Sequence, residues 1–175
     1  GKRKFSLLAN AIDASAFTPD DALRREVRAE LDLSDAFTVM HVGRMIYANN
    51  HEFLLDVFAE VLKREPSARL VLVGDGPHKP ILQAYVEKQG MERVRFCPFT
   101  KEEPVKYYQE AAILMLTSDM EGFGMVVTEG MSYGVVPIVY GSYPAIYDIV
   151  NNRMSGFITH KPCSKKETVK YLKLL

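Results

Sequence analysis

Short, largely apolar runs recur along this chain and alternate with longer segments of helical periodicity. The segment between the first two runs, for example, places Phe53, Leu54, Val57, Phe58 and Val61 on one stripe of a helix. Short apolar runs are typical of strands that are buried on both faces, as in a parallel sheet covered by helices. We therefore predict strands within residues 37–42, 68–73, 94–99, 111–116, 135–140 and 156–159.

The alternation predicts an α/β fold, namely a Rossmann-like parallel sheet of about six strands with helices on both faces. The chain has 175 residues, enough for one such domain with a core and too few for two. We place the domain at residues 18–163, and its first helix is expected to begin with Thr18 as N-cap and Pro19 at the first helical position. Residues 164–175 are expected to start a truncated C-terminal helix, opened by a capping box between Ser164 and Glu167.

Charge and composition exclude several functional classes. The 22 basic residues balance the 22 acidic ones, so no net field favours nucleic acid or an anionic membrane surface. The sequence shows no apolar run long enough to span a membrane and no signal peptide. Cys97 and Cys163 lack CxxC spacing, and we expect them to be thiols. Together these features predict a cytoplasmic protein without a nucleic-acid partner.

A glycine-rich turn follows the run 111–116. The segment after it has apolar residues that permit a helix, and Gly134 is placed where such a helix ends. The start of a helix leaves backbone N–H groups unpaired and carries the positive end of the helix dipole. Two glycines without side chains would allow an anion to approach those groups, which predicts a phosphate-binding turn. Its residues are Gly122, Phe123, Gly124, Met125 and Val126.

Two carboxylates bracket this turn. Seven residues separate Glu121, in the turn, from Glu129, which we place about two turns into the helix. A phosphate site repels carboxylates, whereas the hydroxyls of a sugar can donate hydrogen bonds to them. A sugar nucleotide, with hydroxyls on both sides of a diphosphate, would suit the pair. The alternative is a solvated Glu121 and a Glu129 on the surface of an ordinary amphipathic helix.

A candidate cation lies at the end of the first predicted strand. Arg44 directly follows Gly43, and its planar guanidinium can make two parallel hydrogen bonds to phosphate oxygens. A surface arginine in a loop is the alternative. Gly74 occupies the corresponding place after the second strand, either in a tight turn or lining a cleft.

Four motifs, in order, resemble those of the retaining glycosyltransferases of family 4, the glycosyl transferases group 1. They are Val-Gly-Arg at 42–44, Val-Gly-Asp-Gly-Pro at 73–77, Glu-Gly-Phe-Gly at 121–124 followed by Glu129, and Gly-Val-Val-Pro-Ile-Val at 134–139. The resemblance implies the C-terminal, donor-binding half of the GT-B fold. Residues 10–13 resemble the family's hinge sequence, so residues 1–17 are expected to be an interdomain hinge or linker.

The resemblance also implies roles for individual residues. Arg44 and the amides of the glycine-rich turn would hold the diphosphate, Glu121 the transferred sugar and Glu129 the ribose. The base would lie against Phe96, Cys97 and Pro98, and the alternative for each of these residues is a plain buried strand end. We expect no metal, because Arg44 and the amides would stabilise the diphosphate and the sequence has no metal-binding motif. We expect no other cofactor, because the nucleotide sugar is a substrate.

One position departs from the family pattern. The usual lysine five residues after the arginine is replaced by Asn49, which can donate a hydrogen bond but cannot neutralise charge. Asn49 and Asn50 also precede a helix with Glu52 nearby, so helix capping is the better explanation of both. The departure predicts weaker diphosphate binding, help from another cation, or a protein that binds its donor only when the missing half is present.

The sequence thus predicts the donor-binding domain of a hexosyltransferase that uses a nucleoside diphosphate sugar, with UDP as the expected nucleotide. The expected pathway is the synthesis of cell-surface polysaccharide or glycoconjugates. An N-terminal acceptor-binding domain would be the partner and the only route to membrane association, and residues 1–175 alone would be inactive. Two alternatives are a sugar-nucleotide epimerase with the same two-half fold and a non-catalytic nucleotide-binding module.

Overall fold

The computed structural model describes residues 10–13, 18–33, 37–100, 103–160 and 164–172, and these form a parallel six-stranded sheet. The strand order is β3-β2-β1-β4-β5-β6. The strands are β1 (Thr38–Val42), β2 (Arg69–Val73), β3 (Val94–Cys97), β4 (Ile113–Leu116), β5 (Val136–Tyr140) and β6 (Phe157–Thr159). Cys163 and most of the predicted hinge lie outside the described residues.

Every predicted strand is present, within two residues of the predicted bounds. The third ends earlier than expected, at Cys97, and Pro98 and Phe99 are exposed. Proline has no N–H to donate to a neighbouring strand, so the ladder stops where it enters.

Helices connect the strands and cover both faces of the sheet. Tyr47–Asn49 forms one turn of 3₁₀-helix immediately before α2. The α-helices are α1 (Asp21–Glu30), α2 (His51–Leu62), α3 (Lys79–Lys88), α4 (Glu103–Tyr108), α5 (Met125–Ser132), α6 (Ile146–Ile149) and α7 (Lys165–Leu172). No helix in the described residues combines the length and the apolar character needed to cross a membrane.

Two hydrophobic cores lie on opposite faces of the sheet. Strand β1 is buried throughout, and its alternate residues belong to different cores. Met40 packs in the core that contains Val127 of α5, whereas Val39 packs in the core that contains Leu54 of α2. Successive side chains of a strand point to opposite faces, so an apolar run serves both cores.

Two predicted helix caps are wrong in detail. Asp20, not Thr18, is the N-cap of α1, and its Oδ1 accepts hydrogen bonds from the backbone N–H groups of Ala22 and Leu23. A carboxylate at this position satisfies two of the unpaired amides at once. At α7 only half of the capping box forms. Ser164 accepts from the Glu167 backbone N–H, while the Glu167 carboxylate accepts instead from the backbone N–H of His160.

The order of the strands determines where a ligand can bind. Strands β1 and β4 are neighbours, and the chain leaves β1 toward β2 on one side and β4 toward β5 on the other. In open α/β sheets, the crevice beyond the carboxyl ends of two such strands is the usual ligand site. The loops that follow Val42 and Leu116 meet at this point.

Candidate functional site

The glycine-rich turn leads directly into α5. Gly124 is its N-cap, in a left-handed conformation with φ of 87°, and no side chain caps the helix. Among the described residues, the backbone N–H groups of Gly122 through Val126 have no hydrogen-bond acceptor. An unpaired set of amides at the positive end of a helix dipole is a ready site for an anion. The helix ends as predicted, since its last residues are followed by Gly134 with φ of 78°.

The turn and the loop after β1 enclose a cleft of about 650 Å³. Nine of the predicted site residues line it, and this grouping follows from the adjacency of β1 and β4. Other residues of the two loops, together with Asn10, complete the wall. The predicted residues in the lining are Gly43, Arg44, Asn49, Glu121, Gly122, Phe123, Gly124, Met125 and Val126.

Arg44 is the only cationic side chain among the described residues that line the cleft. It is exposed, and no described acidic residue forms an ion pair with it. Its backbone is held on both sides, because the Met45 N–H donates to the Asp75 carbonyl at 2.8 Å and Asn49 Nδ2 donates to the Arg44 carbonyl at 2.7 Å. The guanidinium charge is therefore available to a ligand, on a loop with a fixed path.

Asn49 and Asn50 connect the β1 loop to the end of β4. The hydroxyl of Thr117 donates to the Asn49 carbonyl at 2.8 Å, and Asn50 Nδ2 donates to the Thr117 carbonyl at 3.1 Å. Asn50 is the N-cap of α2 by position, with φ of 52°, but neither asparagine side chain caps the helix. The capping interpretation is therefore correct for the position of Asn50 and wrong for the role of both side chains. Both amides cross-link loops at the cleft, and the binding role of Asn49 stays a prediction.

The two carboxylates occupy different places. Glu121 is half-buried in the cleft wall. Glu129 lies one turn into α5 and not two, because the helix begins only at Met125. It is half-buried outside the cleft lining and accepts a hydrogen bond from the Tyr108 hydroxyl at 3.3 Å. Burial, and then the charge of Glu129, raise the pKa of Tyr108, which therefore stays protonated and can donate.

Besides Glu129, four of the predicted residues do not line the cleft. Gly74 packs against the first loop so closely that a Cβ there would lie 2.0 Å from the Gly43 carbonyl oxygen, so the packing of the two loops requires a glycine at this position. Phe96, Cys97 and Pro98 lie at the end of β3, beyond β2, with Cys97 buried and Pro98 exposed. They share the carboxyl edge of the sheet with the cleft, and their contact with a base stays a prediction.

Two histidines are buried beneath the Arg44 loop. His41 is a core residue, as its strand pattern predicts, and its Nδ1 lies 2.8 Å from the Met115 carbonyl oxygen. Its ring lies edge-on to that of His51, with 4.5 Å between the centroids. Burial lowers the pKa of His41 to about 4 and, with the neighbouring charges of His41 and His78, that of His51 to about 3. Both rings are therefore neutral at pH 7.

Two tyrosines beside the site were not found from the sequence. Tyr108 bonds Glu129, and Tyr143 places its hydroxyl against Gly124. Both contacts join segments distant in sequence, and an apolar pattern around a tyrosine indicates only a core position. Within the described residues, no group of three or more histidine, cysteine, aspartate or glutamate side chains is arranged to hold a metal ion.

Comparison with known proteins identifies a family that the chain matches. The sequence profile of the glycosyl transferases group 1 family matches residues 24–175. The chain is 28% identical to an uncharacterized glycosyltransferase of Haemophilus influenzae over 92% of the chain and 44% of that protein. It is 26% identical to the alpha-monoglucosyldiacylglycerol synthase of Acholeplasma laidlawii, over 97% of the chain and 43% of the synthase.

Solved structures share the fold. Anabaena HepE, crystallised with UDP and glucose, superposes with a TM-score of 0.83 at 22% identity, over 94% of this chain and 45% of HepE. The chain thus spans less than half the length of each of these relatives.

Proposed function

From the premise that the chain belongs to the glycosyl transferases group 1 family, we propose that it is the donor-binding half of a glycosyltransferase. The proposed donor is a nucleoside diphosphate hexose, and UDP is the proposed nucleotide. The proposed reaction transfers the sugar to an acceptor hydroxyl with retention of the anomeric configuration. Its product would be a cell-surface polysaccharide or glycoconjugate, made on the cytoplasmic side.

The proposal depends on one observation: backbone amides without acceptors and a guanidinium without an acidic partner face the same cleft. The N–H groups of Gly122 through Val126 and the side chain of Arg44 border the same 650 Å³ space. A diphosphate accepts hydrogen bonds on several oxygens and carries negative charge, so it matches amides, helix dipole and guanidinium together. A neutral ligand would use only part of this arrangement.

The same groups suit the chemistry of transfer. As the bond between the sugar and the diphosphate breaks, negative charge grows on the diphosphate and the sugar becomes oxocarbenium-like. Arg44 and the amides would stabilise that developing charge, which is electrostatic catalysis by groups that are already in place. Glu121 would position the transferred sugar by accepting from its hydroxyls, and Glu129 would accept from the ribose. In this scheme neither carboxylate is a nucleophile.

Relatives support the choice of donor and acceptor class. HepE was solved with UDP and glucose, which favours a uridine nucleotide and a hexose for this chain. The Acholeplasma relative is named as a synthase of a glucosylated diacylglycerol, which favours a glycoconjugate product. Because the chain spans less than half of these proteins, acceptor recognition is assigned to a further N-terminal domain. Residues 1–175 alone are expected to bind the donor and to transfer little or no sugar.

One observation supports a second candidate, a non-catalytic nucleotide-binding module. Asn49 stands where the family pattern has a lysine, and its amide is engaged with the Arg44 carbonyl. The described cleft therefore offers one cation where two are expected. A module of this kind would bind a nucleotide sugar without transferring the sugar.

Calorimetric titration with UDP-, GDP- and ADP-hexoses tests the proposal. We expect binding of the UDP sugar and at least a tenfold loss of affinity in Arg44→Ala. The matched control is Arg25→Ala, which removes an exposed arginine of α1 outside the cleft. Absence of binding by the folded wild-type chain would overturn the proposal. With the full-length protein, transfer to an acceptor excludes the module, and an altered free donor sugar would indicate an epimerase.

A further inference from the structure

Tyr143 carries a buried hydroxyl that the proposed chemistry does not yet use. The residue follows β5 and is 6% exposed. Its hydroxyl oxygen is inaccessible to solvent and has no hydrogen-bond partner among the described residues. Buried polar groups are nearly always hydrogen-bonded, so an unpaired hydroxyl beside a functional cleft requires an explanation.

The hydroxyl lies directly behind the glycine-rich turn. A Cβ built on Gly124 would be 2.3 Å from the Tyr143 oxygen, so the absence of a side chain at Gly124 is what makes room for it. The turn cannot close further onto the tyrosine, and the ring is fixed in the core that contains Val127. The unpaired O–H therefore sits at the start of α5, next to the proposed phosphate site.

Glu121 is a candidate acceptor for this hydroxyl, because it lies three residues before Gly124 and lines the same cleft. Burial, and then the negative charge of Glu121, raise the pKa of Tyr143, so the hydroxyl keeps its proton and can donate it to an acceptor. The Glu121 carboxylate itself has no hydrogen bond or ion pair with a described residue. It also belongs to a turn whose neighbours Met120 and Gly122 are exposed, so it can change its position at low cost.

Glu129, the other carboxylate of the pair, already accepts a hydrogen bond from a buried tyrosine. Tyr108 is buried beneath α5, and its hydroxyl donates to Glu129 at 3.3 Å and to the Val126 carbonyl at 3.2 Å. Each carboxylate therefore has a buried tyrosine beside it, one bonded and one not yet bonded.

We propose that Tyr143 is a positioning residue for Glu121, to which its hydroxyl donates a hydrogen bond when the donor sugar is bound. One carboxylate oxygen would then be held by the tyrosine, and the other would be directed at a hydroxyl of the transferred sugar. The inference rests on the proposed function, because it needs a sugar at Glu121. It adds a residue that determines sugar binding without touching the nucleotide.

Tyr143→Phe tests the inference, since it removes the oxygen and keeps the ring. Affinities for UDP and for the UDP sugar are measured by calorimetry on the 175-residue chain. We expect UDP affinity to stay within twofold, while the additional affinity contributed by the sugar falls about tenfold, as for the loss of one hydrogen bond to a charged group. Glu121→Ala should lower the same ratio, and the double variant should be no worse than Glu121→Ala alone, because alanine leaves no acceptor for the hydroxyl.

Two tyrosine variants serve as controls. Tyr147→Phe alters a tyrosine of the same segment that is 56% exposed, and it should change neither affinity. Tyr108→Phe should weaken UDP itself and leave the ratio of the two affinities unchanged, because its partner is Glu129. A general loosening of the domain would lower the affinities for UDP and for the UDP sugar together. It would therefore leave the ratio of the two affinities unchanged in both Tyr143→Phe and Tyr108→Phe.

The outcomes separate the two claims. If the wild-type chain does not bind the UDP sugar, the proposed function and this inference both fail. If it binds and Tyr143→Phe keeps the wild-type ratio, only the inference fails. A crystal structure with a UDP sugar gives a second measurement: Tyr143 Oη within about 3.0 Å of a Glu121 oxygen supports the inference, and a separation beyond about 3.5 Å overturns it.

Discussion

The side-chain amide of Asn49 donates a 2.7 Å hydrogen bond to the main-chain carbonyl of Arg44, five residues earlier in the chain. Asn49 is 7% exposed, and its own carbonyl accepts from the Thr117 hydroxyl. The residue thus links the loop that carries the cation to the strand that leads into the glycine-rich turn. At the position where the family pattern has a second cation, this chain has a structural link between the two walls of the cleft.

Asn49→Ala should loosen the Arg44 loop. The Arg44 carbonyl would lose the side-chain amide and keep only the Ile46 N–H at 3.0 Å, which we expect to lower the free energy of unfolding by about 1 kcal/mol. UDP affinity should fall as well, since the loop would hold the guanidinium less firmly at the cleft. Urea unfolding and calorimetry measure the two effects. Asn151→Ala, at an exposed asparagine outside the cleft, is the control, and an unchanged UDP affinity in Asn49→Ala would contradict the role of the link.

Asn49→Lys should strengthen diphosphate binding. An ammonium at this position can still donate to the Arg44 carbonyl, and it adds a second positive charge to the cleft wall. We expect UDP affinity to rise about tenfold at low salt and the gain to shrink as ionic strength increases, because added salt screens the new charge. Titrations at two salt concentrations measure this, with Asn151→Lys as the control for net charge. The prediction fails if the affinity is unchanged at low salt.

Gly124 and Gly122 should respond differently to alanine. At Gly124 the left-handed backbone and the 2.3 Å approach to the Tyr143 hydroxyl should cost about 1–3 kcal/mol of stability. At Gly122 a Cβ would meet nothing within 4 Å, so folding should be unaffected, but the methyl group would obstruct an anion at the amides. Thermal unfolding and UDP titration separate the two effects.

The double variant Gly124→Ala/Tyr143→Phe provides an internal check. Removing the hydroxyl leaves the next ring atom 3.3 Å from the new Cβ, so part of the lost stability should return. If no stability returns, the backbone conformation of Gly124 and not the tyrosine is the source of the cost.

The strands could be predicted because their signal is local. A parallel strand buried on both faces is apolar throughout, as 111–116 is, and no distant information is needed to recognise it. The glycine-rich turn and its helix were predictable for the same reason. The position of Glu129 within the helix could not be predicted, since the sequence does not show that the helix begins only at Met125.

Contacts between segments that are distant along the chain could not be predicted from the sequence. Asn50 looks like a helix cap, yet its side chain bonds the Thr117 carbonyl 67 residues away, because β1 and β4 are neighbours in the sheet. The approach of Tyr143 to Gly124 likewise depends on how β5 ends beside α5. Both contacts become visible only when the strand order is known.

Stability should fall as pH decreases below about 6.5, because of the buried histidine pair. The folded-state pKa values of about 4 for His41 and about 3 for His51 lie below the usual value of 6.5, so the unfolded chain binds protons that the folded chain does not. The contribution of each neutral histidine to the free energy of unfolding is fully present above pH 6.5, and it falls by about 2 kcal/mol by pH 5. Urea unfolding between pH 8 and pH 5 measures the slope.

His51→Leu should remove roughly half of this pH dependence, since leucine fills the buried space without a titrating group. The control is His160→Gln, because the His160 side chain is exposed and outside the pair. The explanation is wrong if the slope between pH 6.5 and pH 5 is the same in His51→Leu as in the wild-type chain.

Glu129→Ala should weaken nucleotide binding and leave the fold intact. The carboxylate is half-buried, and Tyr108, its partner, keeps the Val126 carbonyl as an acceptor when Glu129 is removed. We therefore expect a stability loss of no more than about 1 kcal/mol, together with at least a tenfold lower affinity for UDP and for uridine. Glu129→Gln, which still offers an oxygen to Tyr108, should keep the stability and lose part of the affinity. If Glu129→Ala unfolds the domain, or binds uridine as the wild type does, Glu129 is a structural residue of α5 and does not hold the ribose.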